Sequence, residues 1–286
     1  MSPPAVTPAT VGNSRPSPVA SGVVLVGAGD IGECDSTADE ATAALLDRIP
    51  GVVFTAGDEA YNDGSTKDFN RCFQPSWGKY RDRIRPAAGN HEYHSDGAPG
   101  YFTYFGAAAG DPAQGYYSYN LGAWHVVVLN SNCDKIGGCG ADSEQARWLR
   151  ADLSATPTRC TLAYWHHAYY TSGDQHEPAK WMRPLVETLY TGGVDVVVAA
   201  HNHTYERFAP QTPDNVRDDV RGVRAFVVGT GGAELNGFND PEPNSEVRNG
   251  DTHGVIKFTL DPQSYSWRFV PESGKSFTDT GTGSCH

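Results

Sequence analysis

Asp30, Asp58, Asn90, His166, His201 and His203 each directly follow a short apolar run that reads as a strand. Strand ends of open α/β sheets gather ligands outside their carboxyl edge, so five separate strand ends would deliver these donors to one rim. Carboxylate, amide oxygen and imidazole together suit Zn, Mn or Fe rather than a thiolate-loving ion. Two such ions, ~3.5–4 Å apart and sharing a carboxylate, can clamp a phosphoryl group and generate hydroxide near neutral pH. Each piece alone is weak. A Gly-Asp after a strand is more often a turn, His166-His167 reads equally as a partly buried pair, and His125 inside its strand reads as structural. His201-x-His203 is stronger, because alternate strand residues face one side and can chelate jointly.

The elements that must position these groups alternate. Apolar runs at Val23–Val26, Val52–Ala56, Thr161–Trp165, Val194–Ala200 and Ala225–Val228 read as buried strands. Thr37-Ala-Asp-Glu40 fits a capping box opening a helix to Ile49. Further helices are expected over Lys67–Arg83, Asp142–Leu153 and Pro178–Tyr190. Tyr116–Leu121 with Trp124–Asn130, and Ile256–Leu260 with Tyr265–Phe269, read as hairpins. Asn236–Asp251 reads as a Pro/Asn/Glu-rich loop, and nothing marks a linker after residue 20. The expectation is an α/β layered domain over 21–286 behind a Pro-rich leader over 1–20. That leader has five prolines and lacks the basic start and apolar stretch of a signal peptide.

A formal net charge of −12, with no Lys/Arg block, argues against a nucleic-acid or membrane-surface protein. No apolar run approaches the ~18–20 residues of a membrane span. The six cysteines lack a Cys-x-x-Cys pair and allow 15 full pairings. Disulfides, and with them a secreted or cell-envelope/periplasmic location, are the expectation. Cys133 and Cys139 flank a short polar loop that could close on itself.

Taken in order, Asp30 in Gly-Ala-Gly-Asp, Gly57-Asp58-Glu-Ala-Tyr61 (GDxxY), Gly89-Asn90-His91-Glu92 (GNHE), Trp165-His166 and His201-Asn-His203 resemble the five-block signature of calcineurin-like metallophosphoesterases. The tyrosine three after the second aspartate is similar to the purple acid phosphatase branch. Gly229-Thr-Gly-Gly232 also resembles the family. Two departures stand out: Ala200 replaces the usual glycine of the last block, and only about twenty residues precede the first strand, where plant-type enzymes carry a β-sandwich module.

The resemblance implies a metallophosphoesterase four-layer sandwich, two mixed β-sheets flanked by helices. It implies that Asp30, Asp58, Tyr61 and His203 bind one metal and Asp58, Asn90, His166 and His201 the other. Those ions would be Fe(III) with Fe(II), Zn(II) or Mn(II), with Tyr61 as tyrosinate favouring ferric iron; Tyr61 as a packed aromatic stays open. It implies hydrolysis of a small phosphorylated substrate by a metal-bound hydroxide, with His91 assisting phosphate or leaving group. His176 is either a second phosphate contact or a surface loop histidine, and His167 and Glu92 support rather than bind. Phosphate monoesters are the first expectation, phosphodiesters or nucleotides the alternative; a monomer is expected, without membrane or nucleic-acid partners. Loops near 61–80, 93–115 and 234–252 would shape the distal pocket, with Tyr101, Phe102, Tyr104 and Phe105 either lining it or forming core.

Two rival classes compete. Gly27-Ala-Gly29-Asp-Ile-Gly32 matches the GxGxxG of dinucleotide-binding oxidoreductases, but four residues separate it from the helix start, and no acid ends the second strand at the spacing a ribose needs. A binding protein braced by structural metals would close each ion with four ligands, which leaves the surplus of donors on one rim unexplained.

Overall fold

The computed structural model describes residues 22–286; the leader expected over 1–20 lies outside the described residues. Runs of β-branched and aromatic residues, punctuated by glycine, form two mixed sheets. The first has the order β13-β12-β11-β1-β2-β3. Its strands are β1 (Val23–Ala28), β2 (Val52–Ala56), β3 (Ile84–Ala87), β11 (Gly254–Asp261), β12 (Ser264–Pro271) and β13 (Thr280–Ser284). The second, of order β10-β8-β9-β7-β6-β5-β4, contains β4 (Tyr117–Leu121), β5 (Trp124–Val128), β6 (Cys160–His167), β7 (Val196–Ala200), β8 (Tyr205–Phe208), β9 (Arg224–Val228) and β10 (Ser245–Asn249). β1, β2 and β3 run parallel, as do β5, β6, β7 and β9. Their carboxyl ends therefore form two rims.

Side-chain alternation decides the layers. Val126, Val128, Leu162, Tyr164, Val196 and Val198 join one core with Leu25, Phe54 and Phe258 of the first sheet. The intervening Val127, Ala163, Trp165 and Val197 pack instead with Leu149 and Leu185, which belong to helices α4 (Glu144–Ala155) and α5 (Arg183–Thr191). α1 (Ala38–Leu46) packs on β11. The result is the expected α/β architecture of two mixed sheets flanked by helices.

Several local expectations are corrected. The helix expected over Lys67–Arg83 is three pieces: α2 (Thr66–Asp68), a π-helical turn over Phe69–Phe73 and a 3-10 helix over Trp77–Arg83. Pro75 disfavours helix before it, and the wider π turn buries Phe69, Cys72 and Phe73 together. Thr37 caps nothing with its side chain; Ser36 Oγ accepts from Ala38 N instead. The capping box forms at Ser65 and Asp68. The loop expected over 236–251 contains β10, which pairs with β8 across a register shift. Between 178 and 190 only a 3-10 turn (Lys180–Met182) precedes α5. The short helix α3 (Pro99–Phe105) completes the set and buries Tyr101, Phe102, Tyr104 and Phe105 as core.

All six cysteines pair, as Cys34–Cys72, Cys133–Cys139 and Cys160–Cys285. Among the described residues no helix is long and apolar enough to cross a membrane.

Candidate metal centre

The two rims meet. Asp30 follows β1, Asp58 and Tyr61 follow β2, Asn90 follows β3, His201 and His203 follow β7, and His166 lies inside β6 rather than beyond its end. Asp30, Asp58 and His201 take left-handed backbone, with φ of 58°, 51° and 72°. That conformation costs a side-chain-bearing residue about 1–2 kcal/mol and collects at functional sites. Here it turns each chain end back towards the rim. Gly89 is obligatory for the same crowding: a Cβ there would collide with the Asp58 carboxylate.

Two groups of donor atoms result. In one, the Tyr61 hydroxyl lies 3.1 Å from Asp30 Oδ1, 3.1 Å from His203 Nε2 and 3.4 Å from Asp58 Oδ2. In the other, His166 Nε2 lies 3.0 Å from Asn90 Oδ1, 3.1 Å from His201 Nδ1 and 3.1 Å from Asp58 Oδ2. Asp58 Oδ2 belongs to both.

The ring nitrogens pointing away from the centre are occupied. His166 Nδ1 donates to the Ala56 carbonyl at 2.8 Å, and His203 Nδ1 to the Glu234 carbonyl at 2.7 Å. In the neutral rings the inward Nε2 atoms are therefore lone pairs. Donor atoms of Asn90, Asp58 and His201 gather within about 3 Å of His166 Nε2, a cluster that a cation or a proton would hold together. The donor set thus fits a metal ion, and its mixed oxygen–nitrogen character suits the first-row ions named above.

Of His166, Asn90, Asp58 and His201, His166 is the group that holds a proton most strongly. Burial opposes charge on His166, but the Asp58 carboxylate beside it prevails and lifts the imidazole to about 9. Asp58 is likewise buried, yet His166 holds it far below the usual carboxylate range. Burial, then the neighbouring His166, keeps His201 neutral, and the same two causes hold His167 down at about 3. Burial and the carboxylates of Asp30 and Asp58 push the Tyr61 phenol well above its ordinary value. A phenolate there needs a strong cation to offset them.

The supporting groups sort clearly. Glu92 accepts four backbone N–H bonds, from Gly89 (2.8 Å), Asp58 (3.0 Å), Glu59 (3.0 Å) and Ala60 (3.4 Å), binding two donor-bearing loops together. His167 pairs with the buried Ser131 hydroxyl at 2.7 Å. His91 Nδ1 lies 2.5 Å from the Asn62 carbonyl, and its Nε2 reaches within 3.8 Å of Asp58 Oδ2. His176 is at the site rather than on a remote surface loop: its ring stacks on His201 with centroids 3.8 Å apart. Asn202, in an apparent glycosylation acceptor, is buried and gives its amide to Thr171 and the His176 carbonyl.

Sequence reasoning missed Ser131, and the carbonyls of Ala56, Asn62 and Glu234 that orient the rings. Backbone groups leave no trace in residue type; only a buried serine beside a histidine pair could have been suspected. The departure at Ala200 has a local reason, since its methyl packs on Gly29, where a Cβ would come within 2.5 Å of it. α1 starts only at Ala38, so the glycines of 27–32 do not open a helix as a dinucleotide site requires.

Residues 24–205 match the model of the calcineurin-like phosphoesterase family. The chain belongs to this family. Purple acid phosphatase 15 of Arabidopsis thaliana is 27% identical over 257 residues, covering 77% of this phosphoesterase chain and 46% of the relative. The chain spans about half the length of the curated relatives it first matches. Among solved structures, a purple acid phosphatase from yellow lupin seeds superposes with a TM-score of 0.78 at 20% identity, covering 94% of this chain and 55% of that one. GAP50, the anchor in the inner membrane complex of Plasmodium, superposes at 0.67 and 14% identity, covering 93% and 90%. At such identities the likeness is one of fold, and a fold is not an activity. The donor set has to carry the function.

Proposed function

We propose that this calcineurin-like phosphoesterase hydrolyses phosphate monoesters at a centre of two metal ions. The observation that carries the reading is the convergence of donor atoms of His166, Asn90, Asp58 and His201 on one space, beside a second set that shares Asp58 Oδ2. Asp30, Asp58, Tyr61 and His203 would hold one ion, and Asp58, Asn90, His166 and His201 the other. Fe(III) beside Fe(II), Zn(II) or Mn(II) fits these donors. When bound, the ions would supply Lewis acidity to the phosphoryl oxygens and lower the pKa of water.

The chain's own groups then divide the remaining work. The Asn62 carbonyl fixes the His91 ring so that Nε2 faces the centre, where it would donate to a phosphate or leaving-group oxygen. His176, braced against His201, would contact a second phosphate oxygen. No side-chain nucleophile is required. The acid phosphatase names of the curated relatives support monoesters as substrates, and the three disulfides support an oxidising compartment.

The test is chelation followed by reloading with Fe, Zn or Mn, assayed on an aryl phosphate and on a bis-aryl phosphate. Monoester turnover should vanish on chelation and return with metal. Faster turnover of the diester would overturn the monoester assignment. Iron-loaded protein should absorb in the visible and Tyr61→Phe should not; a colourless wild type containing iron would remove Tyr61 from the ligand set.

A further inference from the structure

Beside the donor atoms lies a cavity of about 450 Å³, lined by Asn90, Tyr93, His94, Ser131, His167 and Trp181 among others. It touches the centre directly, since Asn90 belongs to both and His167 adjoins His166 and His201. Its lining overlaps only in part with the loops expected to shape a distal pocket. Only Tyr93 and His94 come from those loops, and the far wall is Ser131–Lys135 with Trp181. The volume lies within the ~300–1,000 Å³ of small-molecule sites and exceeds what a phosphate group alone would fill.

Four of the six lining side chains just named are rings. Trp181 differs from the core tryptophans: it is 50% exposed, whereas Trp77, Trp124, Trp165 and Trp267 are buried. Its indole is nevertheless fixed. Nε1 donates to the Ser131 carbonyl at 3.2 Å, and the ring stands nearly edge-on to His167 with centroids 5.5 Å apart. A large aromatic that is both exposed and orientationally fixed beside a polar centre is a ready surface for another flat ring.

We propose that this cavity receives the leaving group of the ester and that Trp181 selects a planar aromatic or heteroaromatic one. The inference rests on the hydrolase reading for the ester and on the cavity alone for the ring. Aromatic phosphates would stack on the indole with their phosphoryl group reaching towards Asn90; alkyl phosphates would bind through the phosphate only.

The experiment compares an aryl phosphate with glycerol phosphate in wild type, Trp181→Ala and Trp181→Phe, and measures phenylphosphonate and methylphosphonate binding by calorimetry on the same metal-loaded proteins. Loss of stacking in Trp181→Ala should cut the aryl-to-alkyl ratio of kcat/KM, and the phenyl-to-methyl ratio of binding, about fivefold or more. Trp181→Phe should restore most of both. Ratios unchanged in Trp181→Ala would overturn the proposal. A wild type that hydrolyses neither ester yet prefers phenylphosphonate, with the preference lost in Trp181→Ala, would sink the hydrolase reading and uphold the aromatic pocket.

Discussion

The two sheets bring different chemistry to the rim. The first sheet's loops carry oxygen donors, at Asp30, Asp58, Tyr61 and Asn90, whereas the second sheet carries nitrogen, at His166, His201 and His203. They are also held differently. Left-handed backbone occurs on both sides, at Asp30 and Asp58 and at His201, but only the oxygen loops are tied by the Glu92 carboxylate. Two of the imidazoles are aimed by backbone carbonyls, and the carbonyl that aims His166 belongs to Ala56 of the opposite sheet. Both donor groups draw on both sheets, so neither half holds a complete set. The site is a property of the packing between the halves.

Asp58 is the sharpest test of that division, because it alone reaches both groups. Asp58→Ala should empty both sites and cut turnover on the order of 10³-fold or more; His203→Ala, which touches one group, should retain roughly half the metal, since one of two sites stays intact. Elemental analysis distinguishes them, and full metal content in Asp58→Ala would refute the shared position. Glu92→Gln aims at the oxygen half only. It replaces an acceptor oxygen with an N–H₂ among four backbone donors and should weaken metal binding about 10–100-fold. Unchanged affinity in a metal titration would mean that the loops hold themselves.

The smallest kinetic effect is expected where the sheets meet away from the rim. Asp279 of the first sheet's side accepts from Tyr205 and Arg207 of β8 at 2.7 Å each, and from Trp267 of β12 at 2.9 Å. Burial opposes its charge, but these donors hold its carboxyl below the usual range. Its folded value being depressed, the stabilisation is complete above the ordinary ~3.9 and is lost as pH falls through the lower folded value. Asp279→Asn should cost about 2–3 kcal/mol at neutral pH. The Tm difference from wild type should shrink towards pH 2, with kcat little changed. A pH-independent difference would assign the effect to packing.

The same division explains what could be read in advance. The Val-rich central strands and the glycine, aspartate and histidine residues at their ends declare themselves by type and spacing, so the layered fold and the donor residues were legible. Two edge strands were not: β10 offers one apolar residue, Val247, and β13 is Thr-Gly-Thr-Gly-Ser, which carries no strand pattern. The 66–83 segment shows helical spacing, yet Pro75 and the π turn redirect it. Ser65-Thr-Lys-Asp68 escaped because its closing acid is aspartate rather than the usual glutamate. The ring-orienting carbonyls and the Trp181 wall depend on tertiary approach, which local sequence does not encode.

One bond far from the rim bears on the strand that presents an imidazole to it. His166 and His167 are neighbours on β6, so sliding that strand by one residue would exchange them. The proton-poor ring that answers to Ser131 would then stand among the donors. β6 is anchored at its other end, where Cys160 is bonded to Cys285, Thr161 N donates to the Asp195 carboxylate, and the Thr161 carbonyl accepts from Asp195 N. The disulfide thus adds to the hold that the β5 and β7 ladders have on this register, so the choice between two adjacent histidines is secured at both ends of the strand.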